Sequence, residues 1–294
     1  MHSHAKVEKT LYIAIVLTSA YFVVEAVGGY VSGSLSLLGD AGHMLQDVFS
    51  LFVSLSALKL VERLPTKTKT FGYHRIETLA ALLNGALLII VSAFIFTEGY
   101  KRIYSPINVQ SGTVLIVATI GFFINLFVAL RLRESKDLNI RSAFLHVATD
   151  AVSSLAVIAA ALWIRFTGQM IVDPVLGMAI GLLVIVSALS LMKESVFIML
   201  EFTPSNVKFD DVISDIEGTE GVTGAHNIHI WSLCSNVNAI DAHIVTEKTD
   251  MNEITRIKKD IKKKLEKYEI KHATLEFECE KCEDSGSLKT YHHH

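Results

Sequence analysis

The stretch "GDAGHMLQDVFSLFVSLSALKL", Gly39 to Leu60, sets Asp40, His43 and Asp47 into an otherwise apolar run. An ionisable side chain in a lipid-buried helix is costly, and it is tolerated mainly where it faces a cavity, a partner group or an ion. Each of the three groups therefore has to be accounted for.

The rest of the chain makes this a membrane segment rather than a core helix. Of its 294 residues, 51% are hydrophobic and only 19% charged, and nearly all the long apolar runs precede residue 201. About 20 apolar residues suffice to cross a bilayer. Six segments reach that length: roughly 11 to 34, 41 to 61, 77 to 100, 111 to 130, 142 to 166 and 174 to 200. The expected fold is a polytopic α-helical membrane protein of six transmembrane helices with a C-terminal α+β domain. Residues 1–10 form an N-terminal tail, 11–203 the membrane domain, 204–284 the soluble domain and 285–294 a tail. The closing His292–His294 is compatible with a tag remnant and carries no argument.

Basic residues orient the spans. Lys6, Lys9, Arg63, Lys67, Lys69, Arg75, Arg131, Arg133, Lys136 and Arg141 lie at the N-terminus and in the second and fourth connections. The odd connections carry only Lys101, Arg102 and Arg165, so the positive-inside rule puts both termini in the cytoplasm. The first apolar run lacks a small-residue cleavage pattern and reads as a retained span. Cys234, Cys279 and Cys282 then face a reducing compartment, which favours free thiols or metal ligands over disulfides. A net charge of −3 gives no case for nucleic-acid binding.

"HMLQD", His43 to Asp47, has an echo in "HVATD", His146 to Asp150, in the fifth span. Residues four apart on a helix share a face, separated by ~6 Å of rise and ~40° of turn. Two such helices packed face to face supply two imidazole nitrogens and two carboxylate oxygens, a closed set suited to tetrahedral Zn²⁺. Two ionised aspartates balance a divalent cation; empty, the same site takes up protons, and filled, it releases them. Exchange of protons for metal is the minimal chemistry of an antiporter. The plainer alternative for buried histidines is hydrogen bonding between helices.

Asp40 shares the Asp47 face about two turns away, as a supporting or proton-relay group or as a charge at a helix end. Glu25, Asn84, Glu98 and Asn125 are candidates for cavity lining, with interhelical hydrogen bonding as the alternative.

After residue 205 the pattern changes to a short helix ended by Gly218, and then two β-branched strands, "GAHNIHIWSL" and "NAIDAHIVTE". A helix opened by Asp250 and Glu253 in capping-box spacing has Ile254, Ile257, Ile261, Leu265 and Tyr268 on one face. A last strand, "HATLEFEC", completes an α-β-β-α-β order. This domain clusters His226, His229, His243, His272, Glu276, Glu278, Cys279 and Cys282. Strand alternation puts His226 and His229 on opposite faces, and the single CxxC is half of a zinc site. Clustering with thiols favours regulatory zinc binding over isolated surface histidines.

"HMLQD", "HVATD", "FGYHRIE" (Phe71 to Glu77) and "VDPVLG" (Val172 to Gly177) together resemble the cation diffusion facilitator family in its zinc-transporting branch, over nearly the whole chain. The resemblance implies a homodimeric exporter with a soluble domain similar to copper-chaperone folds. His43, Asp47, His146 and Asp150 would form the transport site, loading from the cytoplasm and unloading in exchange for protons. It further implies zinc as cargo with Cd²⁺ or Co²⁺ tolerated, and a dimer-interface charge interlock of Arg75 with Glu201. Cytoplasmic ligands would be His226, His243, His272 and Glu278, with Cys279 and Cys282 completing a site in some members; Glu276 stands where other members have a histidine. His74 is a candidate metal ligand near the entrance, or an interfacial histidine without an ion. The expected location is the plasma (inner) membrane. Of the rivals, an intramembrane metalloenzyme is disfavoured because four ligands close the site and no HExxH occurs. A zinc-binding membrane sensor or scaffold would leave the buried His/Asp set without a purpose.

Overall fold

The computed structural model describes the backbone of residues 2–61, 66–132, 138–235, 237–280 and 286. It describes their side chains except those of residues 2–14, 50, 53–61, 131–132, 138–143, 145 and 146. The chain divides into two compact units, the first of Met1–Glu62 with Ala80–Met192 and the second of Arg63–Leu79 with Lys193–His294.

The first unit is made of six long helices, apart from the first residues of α3 and the last of α6, which fall in the second: α1 (His2–Ser32), α2 (Leu35–Val61), α3 (His74–Tyr104), α4 (Ser111–Leu132), α5 (Leu138–Thr167) and α6 (Val172–Met199). Among the described residues, five carry stretches long and apolar enough to cross a membrane: Ile15–Ser32, His74–Tyr104, Ser111–Leu130, Val147–Thr167 and Val172–Met199. The remaining helix, α2, is 27 residues long. Large apolar side chains such as Leu83, Ile90, Phe94, Phe123 and Leu183 are more than half exposed on this unit. So much apolar exterior suits a lipid solvent rather than water. The interior is made by Leu37, Val114, Val117, Ala118, Val157, Ala161 and Ile180, from α2, α4, α5 and α6.

Two features hold α2 in place. A reversal at Gly33, whose φ of 70° is left-handed, joins α1 to α2. The first turn of α2 is then capped from another helix: Asp173, at the start of α6, accepts from the Leu35 N–H at 2.6 Å and the Ser36 N–H at 3.2 Å. It also accepts from the Ser34 and Ser36 hydroxyls at 2.6 and 2.7 Å. A buried carboxylate at a helix N-terminus satisfies amides that have no intrahelical partner and complements the helix dipole. One turn on, Gly177 lies so close to α2 that a Cβ there would sit 2.8 Å from the Leu35 carbonyl carbon. The "VDPVLG" stretch thus acts as a clamp on α2.

Element ends differ from the sequence reading at two places. The expected tail of residues 1–10 is helical from His2 onward. Because α2 starts at Leu35 rather than near 41, Asp40 lies in its second turn, only 4% exposed, and is not a helix-end charge.

The second unit contains α7 (Phe209–Glu217), β1 (Gly224–Cys234), β2 (Val237–Val245), α8 (Met251–Leu265) and β3 (Ile270–Glu278). The sheet order is β1-β2-β3, with β1 and β2 antiparallel and β2 and β3 parallel. Val212 and Ile216 of α7 and Ile257, Ile261 and Leu265 of α8 pack on Ile228, Ile230, Ile240 and Ile244, so both helices cover one face of the sheet. The α8 N-terminus is capped by Asp250, which accepts from the Asn252 and Glu253 amides, while Glu253 pairs with Lys248 Nζ at 3.4 Å. Asp215 on α7 accepts from Lys267 Nζ and the Tyr268 hydroxyl, which hold its carboxyl below the usual aspartate range.

Candidate metal centres

In the first unit, ligand atoms of His43, Asp47 and Asp150 all lie within 4.8 Å of one another. His43 and Asp47 stand one turn apart on α2, and His43 Nε2 is 3.2 Å from Asp150 Oδ1 on α5. The three side chains are neither deeply buried nor open, which leaves an ion a route of access. His146 lies on α5 one turn before Asp150, and its side chain falls outside the described residues.

Neighbouring helices fix this geometry. Gln46 and Ser187 exchange hydrogen bonds between α2 and α6 at about 3 Å. On α5, the Ser153 hydroxyl donates to Asp40 Oδ1 at 2.6 Å and lies 3.0 Å from the Asp150 carbonyl. Asp40 thereby ties α2 to α5 directly beside the group of ligands. Of the other polar residues singled out from sequence, Glu98 accepts from Arg102 Nε at 2.9 Å, and Arg102 also donates to the Gly33 carbonyl at 2.6 Å. Glu98 is therefore a helix-end ion pair rather than a cavity wall. Asn84 is 2% exposed, and its amide atoms find no hydrogen-bond partner among the described residues; Asn125 is half-buried.

The second unit holds another group, His226, His243 and Glu278, again with ligand atoms within 4.8 Å. His243 Nδ1 lies 2.6 Å from Glu278 Oε1, and His226 Nε2 lies 3.2 Å from Glu278 Oε2. The Asn227 amide, donating to His243 Nε2 at 2.9 Å, selects the tautomer that presents Nδ1 to the carboxylate. His226 is 2% exposed, and neither of its ring nitrogens is in a hydrogen bond among the described residues. A buried imidazole beside a second imidazole and a carboxylate is the donor set that borderline divalent metals take. The three residues fit such an ion and leave one tetrahedral position to another donor.

The pairing register corrects the expectation that His226 and His229 lie on opposite faces. His226 is opposite His243 and His229 is opposite Asp241, so three residues of β1 span two of β2. That bulge, with Asn227 at φ 50°, brings both histidines to the face away from the helices. They still do not share a cluster, because His229 Nε2 bonds Asn227 Oδ1 at 3.2 Å.

His272, expected among the ligands, is not brought to this group within the chain. It pairs with Ala239, four residues along β2 from His243, or roughly 13 Å at the usual strand rise. Its ring packs edge-on against Phe71 at 5.3 Å. Glu276 is exposed, with Oε2 3.6 Å from His243 Nε2. Cys279 is exposed, and Cys282 lies outside the described residues. His74 Nδ1 is 3.4 Å from the buried Cys234 thiol, a pairing that sequence spacing did not suggest. Arg75 and Glu201 form an ion pair within the second unit.

A helical membrane unit with a histidine–carboxylate group between two of its helices, followed by an α+β unit with a second such group, defines a polytopic membrane protein with two candidate sites for a divalent cation. The chain belongs to the cation efflux family, the cation diffusion facilitators, which are transporters. The cation efflux transmembrane domain matches residues 11–200, and the cation efflux cytoplasmic domain matches residues 204–279. The chain is 38% identical to the cadmium, cobalt and zinc/H⁺-K⁺ antiporter of Bacillus subtilis, over 100% of this chain and 98% of that protein. It is 37% identical to the metal cation efflux system protein CzcD of Cupriavidus metallidurans, covering 97% and 90% of the two chains. Identity to the zinc transporter ZitB of Escherichia coli is 33%, over 97% and 94%.

Proposed function

We propose that this protein is a homodimeric zinc exporter that exchanges cytoplasmic Zn²⁺ for protons through His43, Asp47, His146 and Asp150. The observation that carries the reading is the convergence of His43, Asp47 and Asp150 within 4.8 Å from two helices. His146, one turn from Asp150, is the fourth donor. Two imidazoles and two carboxylates make a neutral tetrahedral complex with a divalent ion of borderline softness. Zinc is the main cargo, and Cd²⁺ and Co²⁺, with similar ligand demands, are accepted; similarity to a cadmium, cobalt and zinc antiporter and to a zinc transporter supports both.

In this reading residues 11–203 cross the membrane six times, with residues 1–10 and 204–284 in the cytoplasm of a cell bounded by its plasma (inner) membrane. Zinc enters from the cytoplasm and displaces protons from the quartet. Rearrangement of the helices opens the site outward, and protons then compete the metal off. A neutral zinc-loaded site and a protonated empty site both avoid bare charge in lipid, which is why the exchange suits this location. His226, His243 and Glu278 bind a second, regulatory zinc, with a donor such as Cys279 or Cys282 of the partner subunit closing the tetrahedron. Arg75 with Glu201 braces the dimer interface, the soluble domain serves dimerisation in a copper-chaperone-like fold, and His74 beside Cys234 receives incoming metal.

The test is zinc uptake by liposomes holding the purified full-length protein, down a zinc gradient, beside Asp47→Ala. Uptake by the wild type that disappears in a folded Asp47→Ala supports the reading. Zinc binding by the wild type without flux across the vesicle wall would leave a zinc-binding sensor or scaffold as the better account.

A further inference from the structure

Asn84 on α3 is buried, and neither its Oδ1 nor its Nδ2 is in a hydrogen bond among the described residues. Ser92, about two turns further along the same helix, is also buried, and its hydroxyl likewise finds no partner among them. The packing between the two is apolar: Leu88 meets Val184 and Ala188 of α6, with Leu45 of α2 against them. A primary amide has two N–H donors and an oxygen with two lone pairs, and burying it unpaired forfeits its hydration without replacement. α3 is also one of the stretches long and apolar enough to cross a membrane, where no water supplies the missing bonds. An orphaned amide in such a place calls for a physical reason.

The other helices treat their polar groups differently. Asp40 of α2 is bonded to Ser153 of α5, Gln46 of α2 to Ser187 of α6, and Asp173 of α6 to the start of α2. Among the described residues, the part of α3 in the first unit reaches another element by one side-chain hydrogen bond, from Arg102 to the Gly33 carbonyl at its far end. Against α6 its contacts set glycines beside methionines: a Cβ at Gly85 would fall 2.4 Å from Met192 Cγ, and one at Gly99 2.6 Å from Met178 Cγ. Bare backbone facing unbranched, adaptable side chains leaves no interlocked branch to resist a shift of α3.

We infer that Asn84 is held at a loss in the arrangement seen here and finds its hydrogen-bond partners in a second arrangement of α3, toward which it biases the protein during transport. The inference rests on the transport reading and adds to it a residue that binds no metal. The unmet amide raises this arrangement relative to one in which α3 has moved to meet a donor and an acceptor, and the Ser92 hydroxyl adds a smaller effect of the same sign. An asparagine that merely holds the fold together behaves in the opposite way, because its removal breaks bonds and lowers stability.

The experiment compares the full-length wild type with Asn84→Leu, which has the same side-chain branching without the polar atoms, and with Asn84→Val, which guards against overpacking. Thermal unfolding in detergent, the rate of zinc uptake by liposomes at saturating zinc, and the number of zinc ions bound by calorimetry are read for each. At least one variant should unfold roughly 2 to 8 °C above wild type. That variant should transport about 5- to 30-fold more slowly, because stabilising one state disfavours its exchange with the other, and should bind the same number of zinc ions. Two variants no more stable than wild type, or a stabilised variant with an unchanged rate, overturn the inference and leave transport intact. No zinc flux by the wild type itself overturns the transport reading, and this inference with it.

Discussion

Replacing Asp173 by Ala removes the cap that α6 supplies to α2, and the structure sets the size of the effect. The carboxylate serves four donors: the Leu35 and Ser36 amides and the Ser34 and Ser36 hydroxyls. The two hydroxyls lie 3.1 Å apart and can turn to each other, so their loss is small. The two amides have no alternative, since the site is 1% exposed at Asp173. Hydrogen bonds to charged groups contribute about 1.5–3 kcal/mol, and loss of an ordinary N-cap costs about 0.5–2 kcal/mol. The variant should therefore lose about 3 kcal/mol, or roughly 6 to 12 °C in Tm for a unit of this size. Asp173→Asn retains one acceptor oxygen and should lose less. The assay is thermal unfolding in detergent with and without zinc, because α2 carries His43 and Asp47 and its loosening should also weaken zinc protection. Tm values for Ala and Asn both equal to wild type, or a larger loss for Asn than for Ala, would refute the reasoning.

Gly177→Ala brings a methyl to 2.8 Å from backbone that cannot rotate away, and should lower stability by about 1–3 kcal/mol in the same assay. His243→Ala should remove one zinc from the calorimetric stoichiometry, whereas His272→Ala, outside the three-residue group, should leave the affinity of a single subunit's site unchanged. Asp215 has its carboxyl held low by Lys267 and then Tyr268, so its contribution to stability is present above the usual aspartate range and disappears as pH falls below it. Asp215→Asn should be less stable than wild type near pH 7, with the difference shrinking as pH falls through the usual aspartate range and below it in denaturant titrations. A difference that persists unchanged at low pH would contradict that assignment.

Much of the architecture is legible in sequence because it follows from length and period. Apolar runs of membrane-spanning length predict the helices, and the four-residue spacing of His43 to Asp47 predicts a shared face that the structure reproduces. What escaped depends on partners far away in sequence. Asp173 opens α6 as an ordinary first-turn acid, and nothing local shows that its hydrogen bonds go to Leu35, 138 positions earlier. Period-two alternation misplaced His229 relative to His226 because one extra residue at Asn227 shifts the register; the hint was local, since asparagine tolerates positive φ better than most residues. The Glu98–Arg102 pair was readable as an i,i+4 ion pair, and weighing Glu98 only between cavity lining and interhelical hydrogen bonding overlooked it.

The central claim is that proton and zinc movements are coupled at the His43, Asp47, His146 and Asp150 site. The most direct measurement loads liposomes containing the full-length protein with zinc at the same concentration inside and out, and then imposes only a pH gradient. Coupling predicts net zinc movement against the concentration difference that develops, in the direction opposite to proton flow, and none in Asp47→Ala. Zinc that stays level across the membrane in intact wild type, while the pH gradient persists, would contradict the account.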